Sequence, residues 1–139
     1  MNCYTFDEIQ IGHKESFVVT LSDGDIEAFR KITGDNNPLH CDDKYARERG
    51  YNGRVVYGML TASYLSTLAG VYLPGEKCLI HEVTTKFDAP ITEVGNMRVC
   101  GEVVKKHDLF RLLTLNVEIR SGENVLLLHG TMKVSVASE

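Results

Sequence analysis

The run Gly58-Met59-Leu60-Thr61-Ala62-Ser63-Tyr64-Leu65-Ser66-Thr67-Leu68-Ala69-Gly70-Val71-Tyr72-Leu73 carries no charge and is closed by Pro74-Gly75. Apolar residues fall on nearly every face of it, which predicts a helix buried all round. The small residues Ala62, Ser63, Ser66, Ala69 and Gly70 let neighbouring backbone approach closely. A bilayer span needs about 20 apolar residues, so the run is expected to be a core rod, with no membrane partner.

On the C-terminal side of the rod the hydrophobic period changes to two. Leu79, His81, Val83, Thr85 and Phe87 alternate with Ile80, Glu82, Thr84 and Lys86; Met97, Val99, Gly101 and Val103 alternate with Arg98, Cys100 and Glu102. Leu113, Leu115, Val117 and Ile119 give the cleanest alternation, and Val125 to Val136 make a last, mostly apolar strand. Turn residues separate them at Asp88-Ala89-Pro90, Lys106-His107-Asp108 and Ser121-Gly122-Glu123-Asn124. Consecutive antiparallel strands with one apolar face need a cover, and the uncharged rod supplies it. The pattern predicts an α+β fold, helix on sheet.

On the N-terminal side, Phe17 to Thr20 reads as an opening strand. Ser22 before Asp23 and Asp25 is a helix start, and Ile26, Phe29 and Ile32 continue to a stop near Thr33-Gly34. Asp42 is expected to cap a second short helix through Tyr45, Ala46 and Arg49, ended by Gly50. Between the two lies Thr33-Gly34-Asp35-Asn36-Asn37-Pro38-Leu39-His40-Cys41-Asp42. Pro38 lacks an N–H and biases Asn37 toward an extended conformation, so an irregular loop is predicted here. Such a loop can turn the Asp35 carboxylate and the His40 imidazole toward one point, and those groups serve acid–base chemistry at neutral pH.

The 139 residues are expected to form one domain, residues 1–139. A formal charge of −4 with no Lys/Arg run argues against nucleic-acid binding. The N-terminus has neither a basic start nor an apolar core, so no secretory signal is expected. Cys3, Cys41, Cys78 and Cys100 lie far apart with no C-x-x-C pair; they read as reduced thiols of a cytoplasmic protein. No spacing of His, Cys, Asp or Glu suggests a metal and no glycine-rich phosphate loop occurs, so neither a metal nor a redox cofactor is expected. His13, His81, His107 and His129 read as structural or solvated.

Taken together, Phe29-x-x-Ile32-Thr33-Gly34-Asp35-x-Asn37-Pro38-Leu39-His40-x-Asp42 resembles the signature of the MaoC-like, (R)-specific enoyl-CoA hydratases, or hydratase 2. Val55-Val56-Tyr57-Gly58-Met59-Leu60-Thr61-Ala62-Ser63 is similar to that family's segment entering the central helix, and Pro90 to Gly95 fits a later Pro-x-x-x-x-Gly element. The likeness covers nearly the whole chain in order and spacing. It implies a hot-dog fold, an antiparallel sheet wrapped around a long helix, assembled as a homodimer. It also implies reversible addition of water to a trans-2-enoyl thioester, giving the (R)-3-hydroxyacyl product. CoA or acyl carrier protein would be the substrate's carrier, and no further cofactor is implied.

By position, the resemblance assigns catalysis to Asp35 and His40, with the Gly58 N–H as donor to the thioester oxygen. The chemistry suits them. One group takes a proton from water attacking C3 and another delivers one to C2; an aspartate and a histidine, with ordinary pKa values of roughly 3.9 and 6.5, can divide those roles either way. An unpaired helix-start N–H suits the negative charge that builds on the thioester oxygen. Asn37, Tyr57 and Ser63 are expected to bind substrate or shape the site. Asn37 equally suits a loop residue bonding its own backbone, and Ser63 equally suits a hydroxyl bonding back to a helix carbonyl. The family commonly has His where this chain has Tyr57, and proline where it has Asp43. Two alternatives stay open at this level, a hot-dog acyl-thioesterase and a non-catalytic acyl-binding protein.

Overall fold

The computed structural model describes residues 1–138. The rod is helix α4, Gly58–Thr67, which passes without a break into a π-helical turn over Leu68–Tyr72. Before it come strand β1 (Lys14–Leu21) and helices α1 (Asp23–Thr33), α2 (Pro38–Cys41) and α3 (Asp43–Glu48); after it come β2 (Cys78–Phe87), β3 (Gly95–His107), β4 (Leu112–Ser121) and β5 (Leu126–Val136). The five strands form one antiparallel sheet in the order β1-β3-β4-β5-β2.

The sheet's apolar face and the rod make the core. Leu65, Leu68, Ala69 and Leu73 pack with Val99, Val103, Leu113, Leu115, Ile119, Leu128, Met132 and Val134, all essentially without solvent exposure. Full burial of one such leucine or isoleucine contributes about 1.5–3 kcal/mol. Rod and sheet approach so closely that a Cβ on Gly101 would lie 2.8 Å from Leu68 Cδ2. Gly101 thus makes room in the sheet for the Leu68 side chain, while the rod is not buried all round: Met59, Ser63 and Ser66 are exposed on the single chain.

The order β1-β3-β4-β5-β2 departs from a meander of neighbours. Only β3, β4 and β5 pair in sequence; β1 pairs with β3 across the rod, and β2 crosses to the far edge beside β5. The strict alternation expected along β2 is also interrupted. Ile80 pairs with Val134 and Glu82 with Lys133, which leaves His81 as a bulge residue, its Nε2 2.8 Å from Ser135 Oγ. Val83, Thr85 and Phe87 therefore share the rod-side face with Ile80, opposite buried Met132 and Leu128.

The local helix signals act as their chemistry requires. Ser22 and Asp25 form a reciprocal capping box at α1, and Gly34, with φ 72°, ends it in the left-handed conformation. Asp42 caps α3 through the N–H groups of Lys44 and Tyr45. The loop between them is irregular only over Gly34–Asn37. Pro38 starts a single helical turn, because at the first helical position its missing N–H is no loss.

Candidate active site

Four consecutive residues, Val55 to Gly58, run as a strap from the Asp35–His40 segment into the rod. The Val55 N–H donates to the Leu39 carbonyl at 2.9 Å, and the Val55 carbonyl accepts from His40 Nδ1 at 2.6 Å. Val56 N–H bonds the Ile91 carbonyl at 2.7 Å, fixing the strap to the segment that follows β2. Tyr57 Oη donates to the Asp35 carbonyl at 2.6 Å. Gly58 then opens α4.

His40 sits on α2, half-buried. A carbonyl can only accept, so the contact with Val55 puts the neutral imidazole's proton on Nδ1 and leaves Nε2 with its lone pair. Asp35 is exposed. Its N–H bonds Thr33 Oγ1 at 3.2 Å, and its Oδ1 accepts from the Asn37 N–H at 3.0 Å, an Asx-type turn that sets the carboxylate's direction. Asn37 caps α2 through Oδ1 and the Leu39 N–H, 2.9 Å, and so holds the turn that carries His40. Among the described residues no hydrogen bond joins Asp35 to His40; what they share is Tyr57. Its ring centroid lies 4.2 Å from that of His40 at 33°, and Phe29 backs it at 5.0 Å.

Tyr57 is 2% exposed. Burial, with the Cys41 thiol 3.6 Å from Oη and the nearby Asp35 charge, pushes its phenol up to about 12, so it remains a neutral donor. Ser63 donates its hydroxyl to the Leu60 carbonyl at 2.6 Å, the back-bonded form, and is exposed on the single chain.

A cavity of about 250 Å³ lies at the start of the rod, bordered by His40, Gly58, Thr61, Phe87, Ile91 and Leu127 among others. His40 and Gly58 thus face one space, whereas Asp35, Asn37, Tyr57 and Ser63 do not border it in the single chain. The helix start there is unlike the others. α1, α2 and α3 each have a side-chain cap; α4 has none, and among the described residues the Gly58 N–H has no protein acceptor. A Cβ on Gly58 would lie 2.9 Å from Phe87 Cε1, so the glycine leaves the room between that N–H and the ring. A larger hollow of about 600 Å³ lies on the outer face of the sheet beside Lys14, Glu102, Asn116 and Glu118; it holds neither Asp35 nor His40 and is a solvated, charged surface.

Phe87, Thr61 and Ile91 were not among the residues singled out from the sequence. Thr61, three positions after Gly58 on one helix face, carried a signal in its spacing; Phe87 joins the site only through the order of the strands. Arg54, just before the strap, is engaged by Asp23 at 2.7 Å and Glu27 at 3.1 Å. His13, without an obvious partner in sequence, pairs with Glu15 at 3.2 Å. Among the described residues no three His, Cys, Asp or Glu side chains are grouped as metal ligands would be, and no helix is long and apolar enough to cross a membrane.

Comparison with known proteins agrees with this architecture. The chain is 32% identical over 105 residues to an (R)-specific enoyl-CoA hydratase of Rhodospirillum rubrum, covering 73% of each. It is 31% identical over 122 residues to a 3-hydroxybutyryl-CoA dehydratase of Methylorubrum extorquens, covering 88% of this chain and 78% of the relative. The solved structure of an (R)-hydratase from A. caviae involved in PHA biosynthesis superposes with a TM-score of 0.88 at 25% identity, covering 94% of this chain and 98% of that one. This is the hot-dog architecture, the rod lying along the concave side of the sheet. The profile described as "MaoC like domain" matches residues 8–125, which span β1, the Asp35–His40 segment, the strap, the rod and most of the sheet. On that match and those relatives, the chain belongs to the MaoC-like domain family.

Proposed function

We propose that this chain adds water to the double bond of trans-2-enoyl thioesters to give (R)-3-hydroxyacyl thioesters, and catalyses the reverse dehydration. Asp35 and His40 form the acid–base pair, and the Gly58 N–H is the donor to the thioester oxygen. One observation carries this reading: His40, its Nδ1 anchored on the Val55 carbonyl, borders the same small cavity as the uncapped N–H of Gly58. A base beside a donor suited to a developing oxyanion is what conjugate addition to a thioester needs. As the water oxygen bonds C3, its proton passes to the pair and electrons move to the thioester oxygen opposite Gly58; the pair then returns that proton to C2 as the enolate collapses. The carrier is CoA or acyl carrier protein; relatives of both kinds are named among the similar proteins.

The functional unit is a homodimer. Strand β2 leaves one edge of the sheet unpaired, and its rod-side Val83 and Phe87 are 46% and 54% exposed on the single chain, an uncovered apolar margin next to the cavity. Four free thiols fit a reducing compartment and hence the cytoplasm.

The test is loss of the conjugated enoyl absorbance of trans-2-butenoyl-CoA with the wild type, Asp35→Asn and His40→Gln. Hydration is expected from the wild type, with losses of about 10²–10⁴-fold in each variant. Release of free CoA thiol in place of hydration would make the chain a thioesterase. Unchanged rates in both variants would remove the assigned pair.

A further inference from the structure

Tyr57 touches both members of the acid–base pair and adjoins the glycine, yet it borders no part of the cavity. We propose that Tyr57 is a positioning residue, which fixes the Asp35 main chain and the His40 ring relative to the Gly58 N–H without touching substrate. The proposal rests on the hydratase reading and adds a residue to it.

The geometry supplies three constraints. First, Gly34 to Pro38 is exposed, and its other hydrogen bonds are short-range ones to Arg30, Thr33, Leu39, His40, Asp42 and its own side chains. The Tyr57 hydroxyl, coming from a buried residue 22 positions away, ties that segment to the core at the carbonyl of the catalytic aspartate itself. Second, His40 Nδ1 is anchored to Val55, but one hydrogen bond leaves the imidazole free to swing about it. The face of Tyr57, backed by Phe29, closes one side of that swing. Third, Tyr57 precedes Gly58 directly as the residue flanking α4, so whatever places its ring also places the Gly58 N–H. Acid–base groups and oxyanion donor are thus set against one another through one side chain.

Two other roles fit less well. A pocket wall would border the cavity. A proton donor to substrate would have its O–H free, whereas this one is spent on a carbonyl at 2.6 Å in a site 2% exposed.

The test uses the full chain with Tyr57→Phe, which keeps the ring and removes the tether, and Tyr57→Leu, which removes both. A displacement of about 1 Å near the chemistry lowers rate about 100-fold. With trans-2-butenoyl-CoA, Tyr57→Phe is expected to lower kcat by about 10–100-fold with KM held within about threefold. A tether that only stabilised the fold would leave kcat per folded molecule unchanged. Two readouts need no turnover. Amide hydrogen exchange of Asn37, whose N–H bonds Asp35 Oδ1, is expected to quicken at least about tenfold in Tyr57→Phe. The ¹⁵N imidazole signals of His40, a single Nδ1–H form in the wild type, are expected to average between tautomers in Tyr57→Leu.

A raised KM at unchanged kcat would overturn the proposal, since it would make Tyr57 a substrate contact. So would kcat, exchange and imidazole signals all matching the wild type. If the wild type does not hydrate any enoyl thioester while exchange and imidazole signals change as stated, the positioning role stands and the hydratase reading falls. If Tyr57→Leu does not fold, Tyr57→Phe decides by exchange and kcat.

Discussion

Replacing Gly58 by alanine separates the chemistry of the helix start from its stability. The new Cβ would lie 2.9 and 3.0 Å from two carbons of the Phe87 ring, closer than carbon atoms approach, so the ring must turn. Phe87 is 54% exposed on an edge strand and has room to do so. Moving it off its rotamer costs about 0.5–1.5 kcal/mol, while alanine in a helix gains up to about 1 kcal/mol over glycine. Folding stability is therefore expected to change by less than about 1 kcal/mol. Activity is a different matter, because the methyl group occupies the space through which a thioester oxygen would reach the Gly58 N–H. Loss of one such donor lowers kcat by about 10²–10³-fold, equivalent to about 2.7–4 kcal/mol. Urea denaturation and enoyl absorbance on the same preparation measure both quantities. Gly58→Ala retaining more than a third of wild-type kcat with unchanged stability would refute the oxyanion assignment. A Gly58→Ala/Phe87→Ala double variant checks the cause: recovery of activity there would mean that the displaced ring, not the blocked amide, had been responsible.

Three further outcomes follow from the geometry. Gly101→Ala forces a Cβ to 2.8 Å from a fully buried Leu68, so denaturant midpoints should show a loss of about 1–3 kcal/mol. Asn37→Ala removes the cap of α2, which should lower stability by about 1 kcal/mol and lower kcat as well, since His40 rides on that turn. Tyr57 holds its proton to about 12 in the folded state, against roughly 10 for a free phenol; its folded pKa is raised, so the stabilisation is complete below pH ~10 and is lost as pH rises through about 12. Tyrosinate absorbance should show late ionisation linked to unfolding among the six tyrosines, and Tyr57→Phe should lose one tyrosine from that late step.

Features that depend on neighbours in sequence could be read before any coordinates. The uncharged run from Gly58, the Ser22–Asp25 cap, the Asp42 cap and the alternation in β4 are local, and each appears where its residues place it. Pro38 excludes a helix interior but not a helix start, so α2 stands where an irregular loop is predicted. The pairing of β1 with β3 and of β2 with β5 joins segments that are not neighbours in sequence, and alternation says which side chains share a face but not which strand lies alongside. In the site, Asp35, His40 and Gly58 stood out by residue type and spacing. The partner that orients His40 is a backbone carbonyl, which leaves no mark in side-chain chemistry. Tyr57 stood out as a departure from the usual family residue, but its hydroxyl's reach to Asp35 depends on how the strap folds back.

The unmatched His81 in β2 has a reach beyond its own pairing. It switches the parity of the strand, so that even-numbered Ile80 and odd-numbered Val83 and Phe87 point the same way, and it bends the margin of the sheet where it occurs. A flat strand from an unrelated chain would meet donors and acceptors out of step along such a curled border. In the homodimer proposed above, a second copy related by twofold symmetry would bring the same curl and the same skipped count.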